Sequence, residues 1–243
     1  MTRAPLPPHV ELERTADGRL IARRWSSRPV EVRVRDGAPR PLKAVPPPPV
    51  PVAGPWQVRF LDERGAPDAI RIERLTCWTE HPDPGVRHYS GPAVYEVRFE
   101  LPAGALVAGR EWHLDLGRVE VIAPPILNER PLASLWKPPY RLRVDPHLNA
   151  GENLLRVRVT NLWPNRMIGD ASLPNDVEWR ATGPGEWMPA AWPDWMVRGA
   201  RRESGRVTFC TRGRVYGCGD PLLPSGLLGP VFLRAAGIEE IQP

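Results

Sequence analysis

Between Trp163 and Asp170 the chain sets an indole, an amide, a guanidinium and a carboxylate within eight positions: Trp163, Asn165, Arg166 and Asp170. That set suits a sugar. A pyranose presents an apolar face that stacks on tryptophan, and its hydroxyls are read by side chains that offer both donors and acceptors. The same residues support a second chemistry, an Arg166–Asp170 ion pair that pins the loop while Trp163 packs on the body of the protein. The sequence leaves both open. A further group, Trp78, Glu80 and His81, lies in a loop rich in proline and glycine between Cys77 and Pro92 and could form a second wall. Glycoside hydrolysis would require more: two carboxyl groups flanking the scissile bond, one protonated and one ionised. The loop acids are Glu80, Asp83, Asp170, Asp176, Glu178 and Asp194, and spacing alone brings no two of them to that separation. Gly-x-Ser-x-Gly elbows, phosphate loops and dinucleotide fingerprints are absent from the sequence.

The element that must deliver the first loop is the stretch after Gly151, where Leu155, Val157 and Val159 alternate with Arg156, Arg158 and Thr160. Period-2 alternation puts the apolar residues against a core and the others in water. Pro164 and Gly169 then predict an irregular loop beyond Asn161. Similar patterns predict strands at Gln57–Phe60, Ile70–Leu75, Ala93–Leu101, Trp112–Leu116, Val119–Asn128 (interrupted at Pro124 and Pro125), Arg141–Val144, Val207–Cys210 and Leu227–Leu233. Residues 1–45 carry strand patterns at Leu20–Ala22 and Val30–Val34, too little to bury a face alone, and read as the tail of a preceding domain or as docked edge strands. The proline run within 46–54 reads as a semi-rigid linker, and residues 55–236 as the main domain. The stretch from Ala171 to Glu203 is irregular and holds Trp179, Trp187, Trp192 and Trp195; packing or a domain interface is the reading for Trp192 and Trp195. With short strands, frequent turns and no convincing helix, the fold class is all-β, a jelly-roll β-sandwich with an extra N-terminal strand segment.

Composition narrows the function. The 243 residues include 32 prolines and 21 glycines, which disfavours long helices, and ten tryptophans, which exceeds what packing asks for. Net charge is +5, carried almost wholly by arginines scattered singly along strands, with Lys43 and Lys137 the only lysines. Nucleic-acid binding needs a clustered footprint and is set aside. Cys77, Cys210 and Cys218 form no CxxC pair. A zinc site drawn from them and His81 lacks paired spacing, so the three read as buried small hydrophobes. Calcium would suit the loop carboxylates and carbonyls, although no ligand spacing demands it. A signal-peptide pattern and a membrane-length apolar run are both missing, so a soluble chain is expected.

Three separated blocks carry a family resemblance: LTCWTEHPDPGVRHYSGPAVYEVRFELP (75–102), GENLLRVRVTNLWPNRMIGD (151–170) and LLPSGLLGPVFL (222–233). In that order they resemble the C-terminal β-sandwich of glycoside hydrolase family 106, the α-L-rhamnosidases, which is similar to the galactose-binding-like, sugar-binding jelly roll of the family 2 glycosidases. The resemblance runs from Pro51 to about Ala236. It implies a carbohydrate-binding or supporting sandwich without catalytic residues of its own, with a rhamnose-containing glycan and the catalytic barrel of a parent enzyme as partners. Other readings are a stand-alone carbohydrate-binding module and a structural domain that docks on a partner. One departure is local: Asn128-Glu129 stands where the family pattern has Asn-Gly, so a looser connection than a tight hairpin is expected.

Overall fold

The computed structural model describes residues 9–34, 37–62, 64–209 and 216–241. The chain opens with the hairpin β1 (Val10–Arg14) and β2 (Leu20–Arg24), then the short ladder β3 (Glu31–Val32) with β4 (Arg40–Pro41), and β5 (Val50–Pro51). It continues through β6 (Trp56–Phe60), β7 (Ala69–Ile72), helix α1 (Pro84–Arg87), β8 (Pro92–Leu101), β9 (Arg110–Asp115), β10 (Arg118–Glu120), β11 (Pro125–Leu127), β12 (Arg130–Pro131) and β13 (Arg141–Arg143). The last elements are β14 (Gly151–Thr160), α2 (Pro164–Asp170), β15 (Trp179–Gly183), β16 (Glu186–Pro189), α3 (Asp194–Val197), β17 (Gly226–Gly229) and β18 (Phe232–Ile241).

Two six-stranded sheets make the body, one in the order β1-β2-β18-β9-β13 with β5 also on β18, the other in the order β12-β11-β14-β8-β6-β7. The expected all-β sandwich is the observed fold. Its sequence logic is clearest in the long pair β8 and β14, antiparallel from Thr160 opposite Pro92 to Gly151 opposite Leu101. Ala93, Tyr95, Val97 and Phe99 face inward with Leu155, Val157 and Val159, while Arg98, Glu100 and Arg158 face water. Trp112 and Leu114 of β9 and Leu233 and Ala235 of β18 close the same core from the other sheet. Each large side chain so buried contributes about 1.5–3 kcal/mol.

The N-terminal hairpin adds to the first sheet, since β2 pairs along β18 from Leu20 opposite Ile241 to Arg24 opposite Gly237. Ala22, Leu42 and Ile241 form a small separate core there. The proline run lies against the sandwich: Val50 and Pro51 pair with Leu233 and Phe232, and the Val52 N–H donates to the Val231 carbonyl (3.0 Å).

Several local expectations are corrected. Asn128 and Glu129 make a tight two-residue hairpin, with Leu127 opposite Arg130 and both turn residues left-handed (φ 49° and 62°). Side chains offset the missing glycine. The Asn128 amide donates to the His147 carbonyl and to Asn153, its oxygen accepts from the Leu154 N–H, and Glu129 pairs with Arg156. The segment beyond Trp163 is helix α2, because Pro164 occupies its first turn, where a missing N–H costs nothing and the fixed φ is already helical. Val207–Phe209 are not a strand, and Cys210 lies outside the described residues. Cys77 is buried as expected, whereas Cys218 is exposed.

Candidate functional site

Helix α2 sits where β14 ends and β8 begins, and three loops converge on it. Asn165 and Asn161 are the hinge pins. The Asn165 amide donates to the Leu223 carbonyl (2.7 Å) and Ser225 Oγ (2.7 Å), and its oxygen accepts from the Leu223 N–H (2.8 Å). Asn161 donates to the Tyr89 carbonyl (2.8 Å) and accepts from the Gly91 N–H (2.8 Å). Ser90 Oγ accepts from the Arg166 N–H, and the Ser225 N–H donates to Cys77 Sγ. Ser90, Asn161, Asn165 and Ser225 are all buried. Their hydrogen bonds therefore form in a low-dielectric interior, where a satisfied network holds one arrangement of the loops.

Arg166 and Asp170, one helical turn apart, are buried together with Nε to Oδ1 at 2.9 Å. The contact lies off the N–H axis, so it is an ion pair in which neither atom completes a hydrogen bond. Asp170 makes its hydrogen bonds through Oδ2, which accepts from the Val207 N–H (2.9 Å), the Thr208 N–H (2.6 Å) and Thr208 Oγ1 (2.7 Å). Of the two chemistries open for these residues, the pinning ion pair is the one built here. Two glycines permit the close approach. A Cβ on Gly85 would come within 1.9 Å of the Gly65 carbonyl oxygen, and one on Gly169 within 2.7 Å of the His88 ring and the Arg166 guanidinium. Burial, with Arg166 and Arg87 adding to it, holds the His88 pKa below its ordinary value.

The remaining predicted residues separate sharply. Trp78 belongs to the core, 3% exposed and stacked parallel to Tyr95 (6.3 Å between centroids), with Phe60 and Tyr89 edge-on, so it is not available as a wall. Burial raises the Tyr95 phenol, whose oxygen accepts from the Leu227 N–H. Glu80 is exposed, and His81 is partly exposed with Nδ1 accepting from the Asp83 N–H. Trp163 is 46% exposed, and the Arg64 guanidinium lies 4.4 Å over its ring. That guanidinium is fixed in turn by the Ser90 carbonyl and by Asp62. Trp163 is thus a rigidly presented indole at the rim. Ser90, Asn161, Ser225 and Arg64 escaped the sequence reading because their partners are distant in the chain; the polar pair at Asn161 and Asn165 flanking Trp163 was the available signal.

The carboxylates are mostly committed. Asp83 accepts from the Gly85 and Val86 N–H groups and caps α1. Asp176 binds Arg202 and Ser204, and these hold its pKa below the usual carboxylate range, the reverse of what a general acid needs. Asp194 sits 3.6 Å from Arg198 on the surface. Beyond Asp170 a lobe runs from Ala171 to Phe209, carrying the β15–β16 hairpin and α3. Trp179, Trp192 and Trp195 gather around Phe209, and Arg202 lies 4.1 Å over Trp195. Among the described residues no group of three or more His, Cys, Asp or Glu side chains is placed to hold a metal ion, and no helix is long and apolar enough to cross a membrane.

A curated protein of Formosa agariphila named "Putative beta-glucuronidase" is 41% identical over 193 residues, which is 79% of this chain and 16% of that protein. The chain is similar to a segment of glycoside hydrolases. Among solved structures, a rhamnosidase from Novosphingobium sp. PP1Y superposes over 90% of this chain and 21% of its own, with TM-score 0.59 and 26% identity. A β-glucuronidase from Bifidobacterium dentium covers 78% of this chain and 30% of its own at TM-score 0.48 and 23% identity. No family model matches. The chain spans about a sixth of the curated relative's length. The likeness to a glycosidase β-domain therefore rests on the rhamnosidase structure and on the curated relative.

Proposed function

We propose that this chain is the non-catalytic β-sandwich of a glycoside hydrolase of the rhamnosidase and glucuronidase kind, and that it supports a catalytic domain and holds glycan beside it. The observation that carries the reading is the 41% identity to a segment making up only 16% of a much longer curated protein. The chemistry of the loops agrees with it. Asp83, Asp170 and Asp176 serve as caps and ion-pair partners, which leaves few acids for a pair flanking a scissile bond. In this reading Trp163 meets the sugar, with Arg64 over one face of its ring and the side chain half open. Glu80, a member of the second predicted wall, is an exposed acid. A rhamnose-containing glycan is the substrate class to try first, because the rhamnosidase fold match covers nearly the whole chain.

The test is turnover of an aryl α-L-rhamnoside and an aryl β-D-glucuronide by the purified chain. No hydrolysis is expected. Hydrolysis that disappears in Glu80→Gln would overturn the non-catalytic assignment. The stand-alone carbohydrate-binding reading makes its own prediction: calorimetry with rhamnose-containing oligosaccharide gives heat that Trp163→Ala removes while the melting profile stays unchanged.

A further inference from the structure

The lobe of residues 171–209 presents an apolar surface that the sandwich does not use. Met188 is 45% exposed, Trp192 54%, Met196 41% and Val197 64%, all within ten positions, and Trp187 adds to the same stretch. Throughout this lobe only Val177 is buried. Beyond the aromatic cluster around Phe209 the segment has little core of its own. Instead it is fastened by polar ties: Asp170 to Val207 and Thr208, Arg206 to the Leu173 and Pro174 carbonyls, and Arg202 to Asp176. The Asp170 bonds fasten the lobe to the end of helix α2, the others hold it together internally, and Met188, Trp192, Met196 and Val197 remain exposed. Tryptophan and methionine are residue types enriched in protein interfaces, and a concentration of large exposed apolar side chains suits an interaction site.

We infer that this lobe is the surface on which the sandwich seats against the catalytic remainder of a longer glycosidase chain. The inference rests on the function proposed above and names the contact that the proposal leaves open. Three observations select this occupant. In the matched proteins the corresponding segment is 16% and 21% of the chain, so most of each polypeptide lies outside it and is available as a neighbour. The lobe carries five arginines (Arg180, Arg198, Arg201, Arg202, Arg206) against five acids (Asp176, Glu178, Glu186, Asp194, Glu203), while the whole chain is +5. That balance offers nothing to select a membrane or a nucleic acid, and it suits a protein face. Finally, helix α2 joins the lobe to the rim: Leu162 and Trp163, 55% and 46% exposed, stand at its start and the lobe is tied to Asp170 at its end. Seven helical residues span roughly 10 Å, which sets the distance from the lobe to the place where a glycan would be held.

The experiment uses the full chain and, as probe, the Formosa agariphila protein from which the matching segment has been deleted. Sedimentation and calorimetry measure association for the unaltered chain, for Val197→Glu, for Met188→Glu and for Trp163→Ala. The chain is expected to bind, with Val197→Glu and Met188→Glu each weakening association by at least about tenfold. Circular dichroism checks that both variants keep the fold, and having two separate exposed positions guards against a local failure of either. Equal binding by all variants, or a chain that pairs with itself through Val197 and does not bind the probe, would overturn the inference. The aryl glycoside assay judges the non-catalytic reading separately, so failure of one is not failure of the other.

Discussion

At the scale of single residues, Asp170 bears the largest energetic burden. It is fully buried against Arg166, and the backbone N–H groups of residues 207 and 208 donate to its second oxygen. Taking away one partner of a buried pair strands the other charge, which costs about 3–5 kcal/mol. Arg166→Leu should accordingly lower the unfolding free energy measured by urea titration by an amount of that order, whereas Arg98→Leu, which breaks an exposed pair with Glu152, should change it by less than about 1 kcal/mol. Equal effects would show that the α2 pair is not structural. Glu129 offers the opposite sign. Its left-handed φ of 62° is a conformation that glycine adopts freely, and its pairing with Arg156 is largely exposed. Glu129→Gly should therefore stabilise the chain by roughly 0.5–1 kcal/mol, read as a higher melting temperature. A fall in melting temperature would mean that the ion pair outweighs the strain.

At the scale of elements, what could be read in advance was whatever depends on near neighbours in sequence. The alternations of β6, β8 and β14 are local patterns, and all correspond to observed elements. Helix α2 was hidden because Pro164 and Gly169 read as breakers, although proline in the first turn favours a helix and Gly169 is kept for its closeness to His88. The Asn128–Glu129 hairpin was hidden for a different reason: its support comes from His147, Asn153 and Leu154, which only the fold brings near. The same holds for the site. Trp163 could be picked out as an accessible ring, but the burial of Asn165, Arg166, Asp170 and Trp78 follows from loops contributed by residues 77–91 and 223–225, and no spacing within one segment encodes it.

At the scale of the whole molecule, two histidines couple the fold to pH. His88 lies beneath α2, and His113 lies on β9 between Glu111, Arg141 and the edge of Trp25. Burial is the first cause in both, and it holds each pKa below the ordinary 6.5. The folded chain thus resists a proton that the unfolded chain accepts. Stability is full above pH 6.5, declines as pH falls through that value, and levels off below the folded pKa. Urea midpoints between about pH 8 and 5 should show this decline, and His113→Gln should reduce it; a midpoint that does not move would rule it out. The function proposed above takes this all-β sandwich, with its committed loop carboxylates and the exposed apolar residues of its lobe, as a supporting part of a larger hydrolase. The most direct measurement replaces the matching segment of the Formosa agariphila protein with this chain and follows hydrolysis of whichever aryl glycoside the intact protein cleaves. Deletion of the segment should abolish turnover, and the graft should restore it to within roughly tenfold of the intact protein. A graft that folds and remains inactive would contradict the assignment.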